Sequence, residues 1–536
     1  MSPFSRQDKS AVPAPDAVYN WRVYALAFSA SMGSAMFGYD SAFIGGTLTL
    51  PSFKTKFGLS STSGTELAAL KANIVSTFQA GCFFGAILCY YLSEKLGRRI
   101  PLMLCGALFN VGAILQVSSA GHVGMIYAGR ALTGLAVGAS SLIVPQYISE
   151  CSPPAIRGRL IGIFEVVLQF SQIVGFWVNY GVNLNISGKS DTQWHIPFAL
   201  QLAPGTLLLI FMFFQPESPR WLLRVGRSAE AVKNLAVIRN LPADHAYVIW
   251  EVDTVNEQLR REFDVGAHRS LGKQLKEVFT ISSNRYRLLL GMSLMMLQNL
   301  SGINALNYYS ATIFQSVGFT GTSVGLLATG VFGIIKAFAT LIFMVFGIDR
   351  LGRRKSLLIG SVGALFAMFY IGGYTAVAHS FSGHAKKDGG AYVAIVMVYV
   401  FAIFYAMSWN GIPWIVCAEV YPTAIRSVCL VFTTCTQWLG QFIIVYSTPY
   451  MMTDITYGTF LFFGASLVVA ITFVFFLMPE TRGLSLEEMD ILFGISGSAI
   501  NKRRKAEEII AGQRGAENLV GDDVEKETAV RIEDKV

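Results

Sequence analysis

A cluster of amides and phenols inside an apolar segment is the stretch of this sequence best suited to bind a ligand. Residues 297–310 lie in an apolar run that begins near Leu288, and Gly302 allows a helix to break there. The polar side chains of the stretch are Gln298, Asn299, Asn304, Asn307, Tyr308 and Tyr309. Buried amides need partners, and amides and phenols both donate and accept hydrogen bonds. These side chains either join helices or bind a hydroxyl-rich ligand, and four amides together favour the ligand site.

Two opposite charges also fall inside apolar segments. Asp40 lies about two-thirds of the way along the first segment, and Arg130 lies near the start of the fourth. An unpaired carboxylate is costly at that depth, so Asp40 must be protonated or face a cation, for which Arg130 is the candidate. A carboxylate that can separate from its arginine can take up a proton. Such a pair is suited to a proton-coupled carrier, with a static structural ion pair as the alternative.

A polar stripe follows one face of the fifth apolar segment. Glu165, Gln169 and Gln172 are spaced at i, i+4 and i+7, so they share a helix face that should point to a cavity rather than to lipid. Lys336 lies centrally in the eighth segment. It either pairs with Glu165, which leaves a neutral pocket, or binds a substrate carboxylate, or extends toward the membrane interface. The central position disfavours the third possibility, and the cancellation by Glu165 places a neutral substrate slightly ahead.

The tenth and eleventh segments carry aromatic rings beside amides. These residues are Trp409, Asn410, Trp414, Gln437, Trp438 and Gln441. Gln437 and Gln441 are four residues apart and share a face. Aromatic planes beside amides fit the apolar faces and hydroxyl edges of a pyranose. We predict that amides and tryptophans from both ends of the chain converge on a water-filled central chamber.

The composition indicates how these residues are positioned. The chain has 536 residues, of which 53% are hydrophobic and only 14% charged, and it contains 51 glycines, which is typical of a multi-spanning membrane protein. A spanning helix needs about 20 apolar residues. The twelve candidate runs are 22–48, 68–92, 100–119, 124–149, 156–183, 196–215, 286–312, 322–348, 356–378, 391–418, 427–447 and 456–478. The fold prediction is an all-α membrane protein of twelve transmembrane helices with a helical connector.

The net charge of +8 does not indicate nucleic-acid binding, because the basic residues cluster in short loops on one side. Those residues are Lys95, Arg98, Arg99, Arg157, Arg159, Arg350, Arg353, Arg354, Lys355 and Arg426. Positively charged loops face the cytoplasm, so this side and both termini are predicted to be cytoplasmic.

Short motifs recur in the same order in the two halves of the chain. Gly97-Arg98-Arg99 returns as 352–354, the pair Glu150 and Arg157 as Glu419 and Arg426, and 216–220 as 479–482. Such repeats predict a duplicated six-helix unit with a substrate site between the halves. The predicted division is a tail at 1–20, a half at 21–215, a connector at 216–285, a half at 286–480 and a tail at 481–536. The connector should contain helices at 228–238 and 245–263, and the tail after about Ser496 should be disordered.

The motifs together identify a resemblance that covers about residues 20–490. They are Gly38-Tyr39-Asp40, Gly97-Arg98-Arg99, Gly129-Arg130, Tyr147-Ile148-Ser149-Glu150 with Arg157-Gly158, 216–220, 298–309, 349–354 and 479–483. The chain resembles the sugar porter family of the major facilitator superfamily. Residues 19–22 and 38–45 are most similar to the fungal branch that includes quinate permeases and pentose and hexose carriers.

The resemblance implies roles for individual residues. Asp40 and Arg130 correspond to the proton-coupling pair of the family's symporters. The substrate-binding residues it implies are Glu165, Gln172, Gln298, Asn299, Asn304, Tyr308, Lys336, Trp409, Asn410, Gln437 and Trp438. Glu165 and Lys336 stand where the family usually has glutamine and asparagine, and Asn410-Gly411 stands where it often has Gly-Pro. The charges implied to hold an inner gate are Arg98, Glu150, Arg157, Glu217, Arg353, Glu419, Arg426 and Glu480.

The expected function is proton-coupled symport of a pentose or hexose across the plasma membrane by alternating access. Uptake of a sugar-like acid such as quinate or galacturonate is the alternative. A non-transporting sensor is a further alternative, which the short tail of about 40 residues after Ser496 disfavours. No catalytic motif or metal-spaced cluster is present in the sequence, so we predict no enzyme activity, cofactor or metal. The expected partners are a polyhydroxy substrate, a proton and the lipid bilayer, with no nucleic acid, for a monomer.

Overall fold

The chain folds as an all-helical bundle in a computed structural model. The structure describes residues 15–264, 271–316, 321–379, 388–422, 424–482, 484, 486–495 and 501–509. No strand occurs within these ranges.

Spans 1–6, the first half, are long helices joined by short turns. They are Trp21–Thr47, Gly64–Leu96, Arg99–Val117, Val123–Cys151, Arg157–Asn185, and Thr192–Leu200 continued by Leu202–Phe213.

Spans 7–12, the second half, include two broken helices. They are Ser282–Leu300 with Ile303–Ser316, Thr322–Ile342 continued by a π-helical turn at Phe343–Gly347, Arg353–Val377, Gly389–Ala406 with Ile412–Val420, Arg426–Asp454 and Gly458–Leu477.

Eleven of the helices in the described part of the chain are long and apolar enough to cross a membrane. Span 1 is not among them because serines, glycines and Asp40 lower the hydropathy of its 27 residues. Most of its side chains are buried against protein, so this helix does not need an apolar, lipid-facing surface. The layout is consistent with the predicted twelve helices.

The breaks in spans 7 and 10 have local causes. Gly302 has a φ of +94°, a conformation that favours glycine, and it separates the two parts of span 7 where the sequence predicted a break. Span 10 is interrupted between Ala406 and Ile412, and Pro413 lies in the first turn of the second part. The bend of span 10 is therefore accompanied by Pro413, although Asn410-Gly411 stands in the place of the expected Gly-Pro.

Shorter helices lie outside the spans. They are Asp16–Tyr19, Pro51–Lys56, Pro154–Ile156, Pro219–Arg224, Ser228–Arg239, Ala246–Asp264, Leu271–Thr280, Ile348–Leu351 and Leu486–Gly494. Two of them correspond to the helices predicted in the connector. Residues 501–509 are also helical, and Ala506 is fully buried there, so the prediction of disorder is wrong for this segment. Residues 510–536 lie outside the described part of the chain.

The most extensive contacts between the two halves are those of span 1 with span 7, span 2 with span 11, and span 5 with span 8. Every residue predicted from the sequence to bind substrate lies on span 5, 7, 8, 10 or 11. The architecture therefore directs the candidate residues to the boundary between the halves.

Candidate functional site: a polar cluster between the halves

Asp40 and Arg130 form an ion pair, and both side chains have no exposed surface. The Arg130 guanidinium also donates to the backbone carbonyl of Ile74 at 3.2 Å, and its central carbon lies 4.7 Å from the centre of the Phe78 ring. Spans 1, 2 and 4 are therefore joined by one buried charge pair. Separating a fully buried ion pair is costly, because it would leave two unpaired charges away from solvent.

The amides of span 7 form a connected network across the break. Asn304 donates to Asn299 Oδ1 at 2.5 Å, and Asn299 donates to Gln437 Oε1 on span 11 at 2.8 Å. Gln298 donates to the backbone carbonyl of Trp409 at 2.5 Å, within the break of span 10. Tyr308 accepts a hydrogen bond from Gln441 at 3.0 Å. The network joins the two broken helices to span 11.

Lys336 makes its contacts across the boundary between the halves. Its ammonium donates to Gln172 Oε1 on span 5 at 2.6 Å and to Asn307 Oδ1 on span 7 at 3.4 Å. Gln172 in turn donates to the Ser41 hydroxyl on span 1 at 3.1 Å. A line of hydrogen bonds therefore runs from Lys336 to the residue that follows Asp40.

Glu165 has different partners. It accepts a hydrogen bond from Gln169 at 2.7 Å and another from Asn410 at 2.8 Å. Of the three possibilities left open for Lys336, the direct ion pair with Glu165 is not formed among the described residues. The reason is geometric, because each side chain reaches an amide on a neighbouring span. The expectation of a neutral pocket assumed a direct ion pair between Glu165 and Lys336, and this contact is not observed.

The two tryptophans have different environments. Trp409 donates its indole N–H to Ser361 on span 9 at 2.8 Å, so this group is satisfied within the second half. Trp438 packs against Phe37 and Phe78 of the first half, with ring centres 5.2 and 6.3 Å apart. Within the described residues its indole nitrogen has no hydrogen-bond partner. Trp438 therefore offers a free donor at the boundary.

Some members of the cluster were not among the predicted binding residues. Asn307, the second partner of Lys336, was noted only as one of the amides in 297–310. Ser41 and the buried Gln79 were not proposed for the site, and the Gln79 amide, once oriented to satisfy its neighbours, accepts from the Tyr308 hydroxyl at 3.0 Å. Its place as an amide deep in the apolar run of span 2 was the signal that could have identified Gln79.

A half-buried carboxylate holds the turn between spans 2 and 3. Glu217 accepts hydrogen bonds from the backbone N–H groups of Arg98 at 2.9 Å and Arg99 at 3.1 Å. Arg98 pairs with Glu150 at 3.0 Å, and Ser218 donates to the same Glu150 carboxylate at 2.5 Å. We call this set of residues the first clamp.

The second half repeats the arrangement bond for bond. Glu480 accepts from the backbone N–H groups of Arg353 at 2.9 Å and Arg354 at 3.1 Å. Arg353 pairs with Glu419 at 2.8 Å, and Thr481 donates to Glu419 at 3.1 Å, as Ser218 does to Glu150. We call this set the second clamp. The motif repeat in the sequence is thus a repeat of hydrogen bonds.

The hydrogen bonds and ion pairs of the two clamps join predicted gate residues of the same half. Arg426 donates to the backbone carbonyl of Tyr421, while Arg157 is exposed and forms no hydrogen bond or ion pair with described residues. Each clamp joins helices of its own half. In this conformation the charges therefore stabilise the two halves separately.

A comparison with protein families identifies the chain. The model of the family described as "Sugar (and other) transporter" matches residues 26–493. The chain belongs to this family. Curated relatives include a probable quinate permease of Neosartorya fischeri, 46% identical over 486 residues that cover 90% of this chain and 89% of the relative. The quinate permease of Emericella nidulans is 42% identical over 519 residues, covering 95% and 96% of the two chains.

Solved structures agree with the family. The proton:xylose symporter XylE bound to 6-bromo-6-deoxy-D-glucose matches with a TM-score of 0.71 and 26% identity, covering 88% of this chain and 99% of XylE. The inward open conformation of XylE from E. coli matches with a TM-score of 0.70 and 26% identity over the same shares. The protein is a multi-pass membrane transporter with the major facilitator fold, and it is not an enzyme.

The transporter is closed at one end of the boundary between its halves. We call the end that carries residues 97–99 and 352–354 the GRR end. At the opposite end, Asn183 of span 5 donates to Ser323 of span 8 at 2.8 Å. Gly45 of span 1 lies so close to Tyr308 that an added Cβ atom would collide with the Tyr308 carbonyl oxygen. The helices of the two halves are in direct contact there.

Exposure within the cluster changes along the membrane axis. Glu165, Asn410 and Gln437, which lie nearer the GRR end, are half-buried. Gln172 and Gln441, which lie one or two turns further from it on the same spans, are buried. The cluster is therefore approached from the GRR end. Neither of two surface pockets, one along span 11 near Tyr450 and one along the connector near Trp250, touches it.

Proposed function

We propose that this transporter couples the uptake of a sugar-like polyhydroxy compound to a proton by alternating access of its two halves. The observation that carries the proposal is the fully buried Asp40–Arg130 pair, which is linked through adjacent Ser41 and Gln172 to the polar cluster at the boundary. A ligand in the cluster and a proton on Asp40 would act on the same helices. Coupling substrate transport to a proton requires helices whose movement responds to both ligands.

The polar cluster supports a hydroxyl-rich substrate. Gln298, Asn299 and Asn304 provide amides, and Trp438 provides an aromatic face with an unsatisfied N–H among the described residues. The three amides bond to other protein groups here and could exchange those partners for hydroxyl groups at little enthalpic cost. The similarity to a proton:xylose symporter supports both the substrate class and the coupling.

The substrate is either a monosaccharide or a sugar-like acid. The argument for a neutral sugar assumed that Glu165 cancels the charge of Lys336, but these residues have separate partners. The curated relatives are named quinate permeases, which supports the acid. The choice between these two substrate classes depends on whether the Lys336 ammonium, which here bonds to Gln172 and Asn307, binds a substrate carboxylate.

We further propose that the GRR end faces the cytoplasm of a cell whose plasma membrane holds this transporter as a monomer with both termini inside. Basic residues concentrate at that end, as the positive-inside rule requires. In this orientation the structure corresponds to an inward-facing state, closed where Gly45 meets Tyr308.

Uptake by a yeast strain that lacks its own sugar carriers tests the proposal. Glucose, xylose, galacturonate and quinate would be supplied at two external pH values, with and without a protonophore. We expect one class to accumulate above its external concentration, faster at the lower pH, and to lose accumulation with the protonophore. Uptake that only equilibrates would contradict proton coupling, and binding without uptake would support a sensor.

A further inference from the structure

Lys336 places a positive charge at the centre of the polar cluster. It lies in the middle of span 8, and only 2% of its surface is exposed. Its backbone carbonyl accepts from Thr340 at 2.9 Å, and the Thr340 hydroxyl also lies 3.4 Å from the Asn410 amide nitrogen. The ammonium is therefore part of the cluster and does not extend to the membrane interface.

No carboxylate in the described part of the chain forms an ion pair with this ammonium. Among the described residues its hydrogen bonds run only to the amide oxygens of Gln172 and Asn307. The nearest candidate carboxylate in the cluster, Glu165, is bonded to Gln169 and Asn410. A buried ammonium is strongly stabilised by a hydrogen-bonded anion, and neutral amide oxygens compensate only part of the lost hydration. The ammonium thus has no directly bonded anion among the described residues, and the Glu165 carboxylate acts on it only from a distance.

The two amide oxygens come from different halves of the transporter. Gln172 belongs to span 5 and Asn307 to span 7, and Gln172 also contacts Ser41 of span 1. An anion that replaced these oxygens on the ammonium would lie at the boundary, between the helices that must separate and close. It would also release the Gln172 amide to bond a ligand hydroxyl.

We propose that Lys336 binds the carboxylate of the substrate, and that the transporter therefore selects polyhydroxy acids of sugar size over neutral sugars. The oxygens of Gln172 and Asn307 hold the ammonium in the substrate-free state and give way to the carboxylate. This inference rests on the proposed function, because it assumes that the polar cluster is the substrate site.

The test compares two ligands that differ in one group. Galacturonate carries a carboxylate at the carbon where galactose carries a hydroxymethyl group, and quinate provides a second acid. Binding of all three to the purified full-length transporter in detergent would be measured for the wild type and for Lys336→Gln. We expect the wild type to bind at least one acid and to prefer it over galactose, and Lys336→Gln to weaken that acid at least about 30-fold while changing galactose binding less than about threefold.

Three comparisons keep the outcome clear. Lys189→Gln, a change of an exposed lysine in a loop, should bind like the wild type. Lys336→Arg retains the charge and should recover part of the acid affinity, whereas a purely structural lysine would give equal losses for acid and galactose in both Lys336 variants. If Lys336→Gln does not fold, the preference of the wild type decides, because equal or tighter binding of galactose overturns the inference. Binding of no polyhydroxy compound by the wild type would overturn the proposed function as well.

Discussion

At the scale of single residues, the proposed proton coupling depends on the Asp40 carboxylate. It is fully buried, and its ion-pair partner is Arg130 on another span. Removing the negative charge while keeping the shape leaves the arginine without an anion but retains the hydrogen-bonding capacity of the site. A proton carrier and a structural pair therefore make different predictions for the same substitution.

Asp40→Asn should abolish accumulation of substrate against its gradient while exchange of internal for external substrate continues. The reason is that an amide cannot take up and release the coupled proton. Uptake with a pH gradient and counterflow without one would be measured in proteoliposomes. Asp253→Asn, which changes an exposed carboxylate in the connector, is the matched control and should retain accumulation. Full accumulation by Asp40→Asn would assign the pair a structural role.

A second residue-scale prediction concerns the amide that lies between the two broken helices. Gln298→Ala should weaken substrate binding by about one hydrogen bond, ~0.5–1.5 kcal/mol, or roughly two- to twelvefold in Kd. Thermal stability should also fall, because the donor to the Trp409 carbonyl is lost. Gln116→Ala, which removes a buried amide between spans 3 and 6, should lower the melting temperature but not the affinity. An unchanged affinity in Gln298→Ala would place the pocket elsewhere.

At the scale of elements, the two clamps explain why glycine occupies the turns after spans 2 and 8. Gly97 and Gly352 have φ values of +88° and +85°, with extended ψ, a region used almost only by glycine. A Cβ atom on Gly97 would collide with the Glu217 carboxylate, and one on Gly352 would lie 2.7 Å from the Glu480 carboxylate. Glycine therefore leaves room for the carboxylate, and the carboxylate in turn stabilises the turn by accepting its backbone N–H groups.

Gly97→Ala and Gly352→Ala should each destabilise the transporter by about 1–3 kcal/mol from backbone strain alone. Because the clamps lie in separate halves, the effects should add in the double variant. Melting temperatures in detergent would measure them. Gly158→Ala is the control, since this helical glycine has open space around it, and alanine should be neutral or slightly stabilising there. Unchanged melting of Gly97→Ala would show that the turn tolerates a side chain.

At the scale of the whole molecule, two similar halves are closed against each other at the end opposite the clamps. The contact of Gly45 with the Tyr308 backbone depends on the absence of a side chain at residue 45. Alternating access needs this contact to form and break in every cycle. A substitution there should affect the change of conformation more than the binding site.

Gly45→Ala should reduce uptake at least about tenfold while substrate binding to the purified protein stays within about threefold, because the added methyl prevents full closure against Tyr308. Uptake rates and binding constants would be compared on the same preparations. Gly181→Ala, near the same end of span 5 and with open space around it, should transport normally. Normal uptake by Gly45→Ala would show that closure does not require this contact.

Much of the fold was predictable because it depends on local patterns. The apolar runs correspond to the spans, the break at Gly302 follows from a glycine in a polar stretch, and the recurring motifs anticipated the two clamps. The helix at 501–509 was not predicted, because its order comes from tertiary contacts. The ammonium of Lys502 lies 4.4 Å from the Tyr286 ring, and the Arg503 guanidinium reaches the Glu480 carbonyl.

The sequence alone determined that the chain spans a membrane, repeats one unit twice and keeps an acid, a base and many amides at membrane depth. These features follow from residue type and spacing along one helix. The tertiary structure alone decided the partners, as in Lys336 with Gln172 instead of Glu165, and Glu165 with Asn410. The physical reason is that a helix face can reach side chains on several neighbouring helices. Which of them it meets depends on the rotation and depth of each span, and these are set by the packing of the whole bundle.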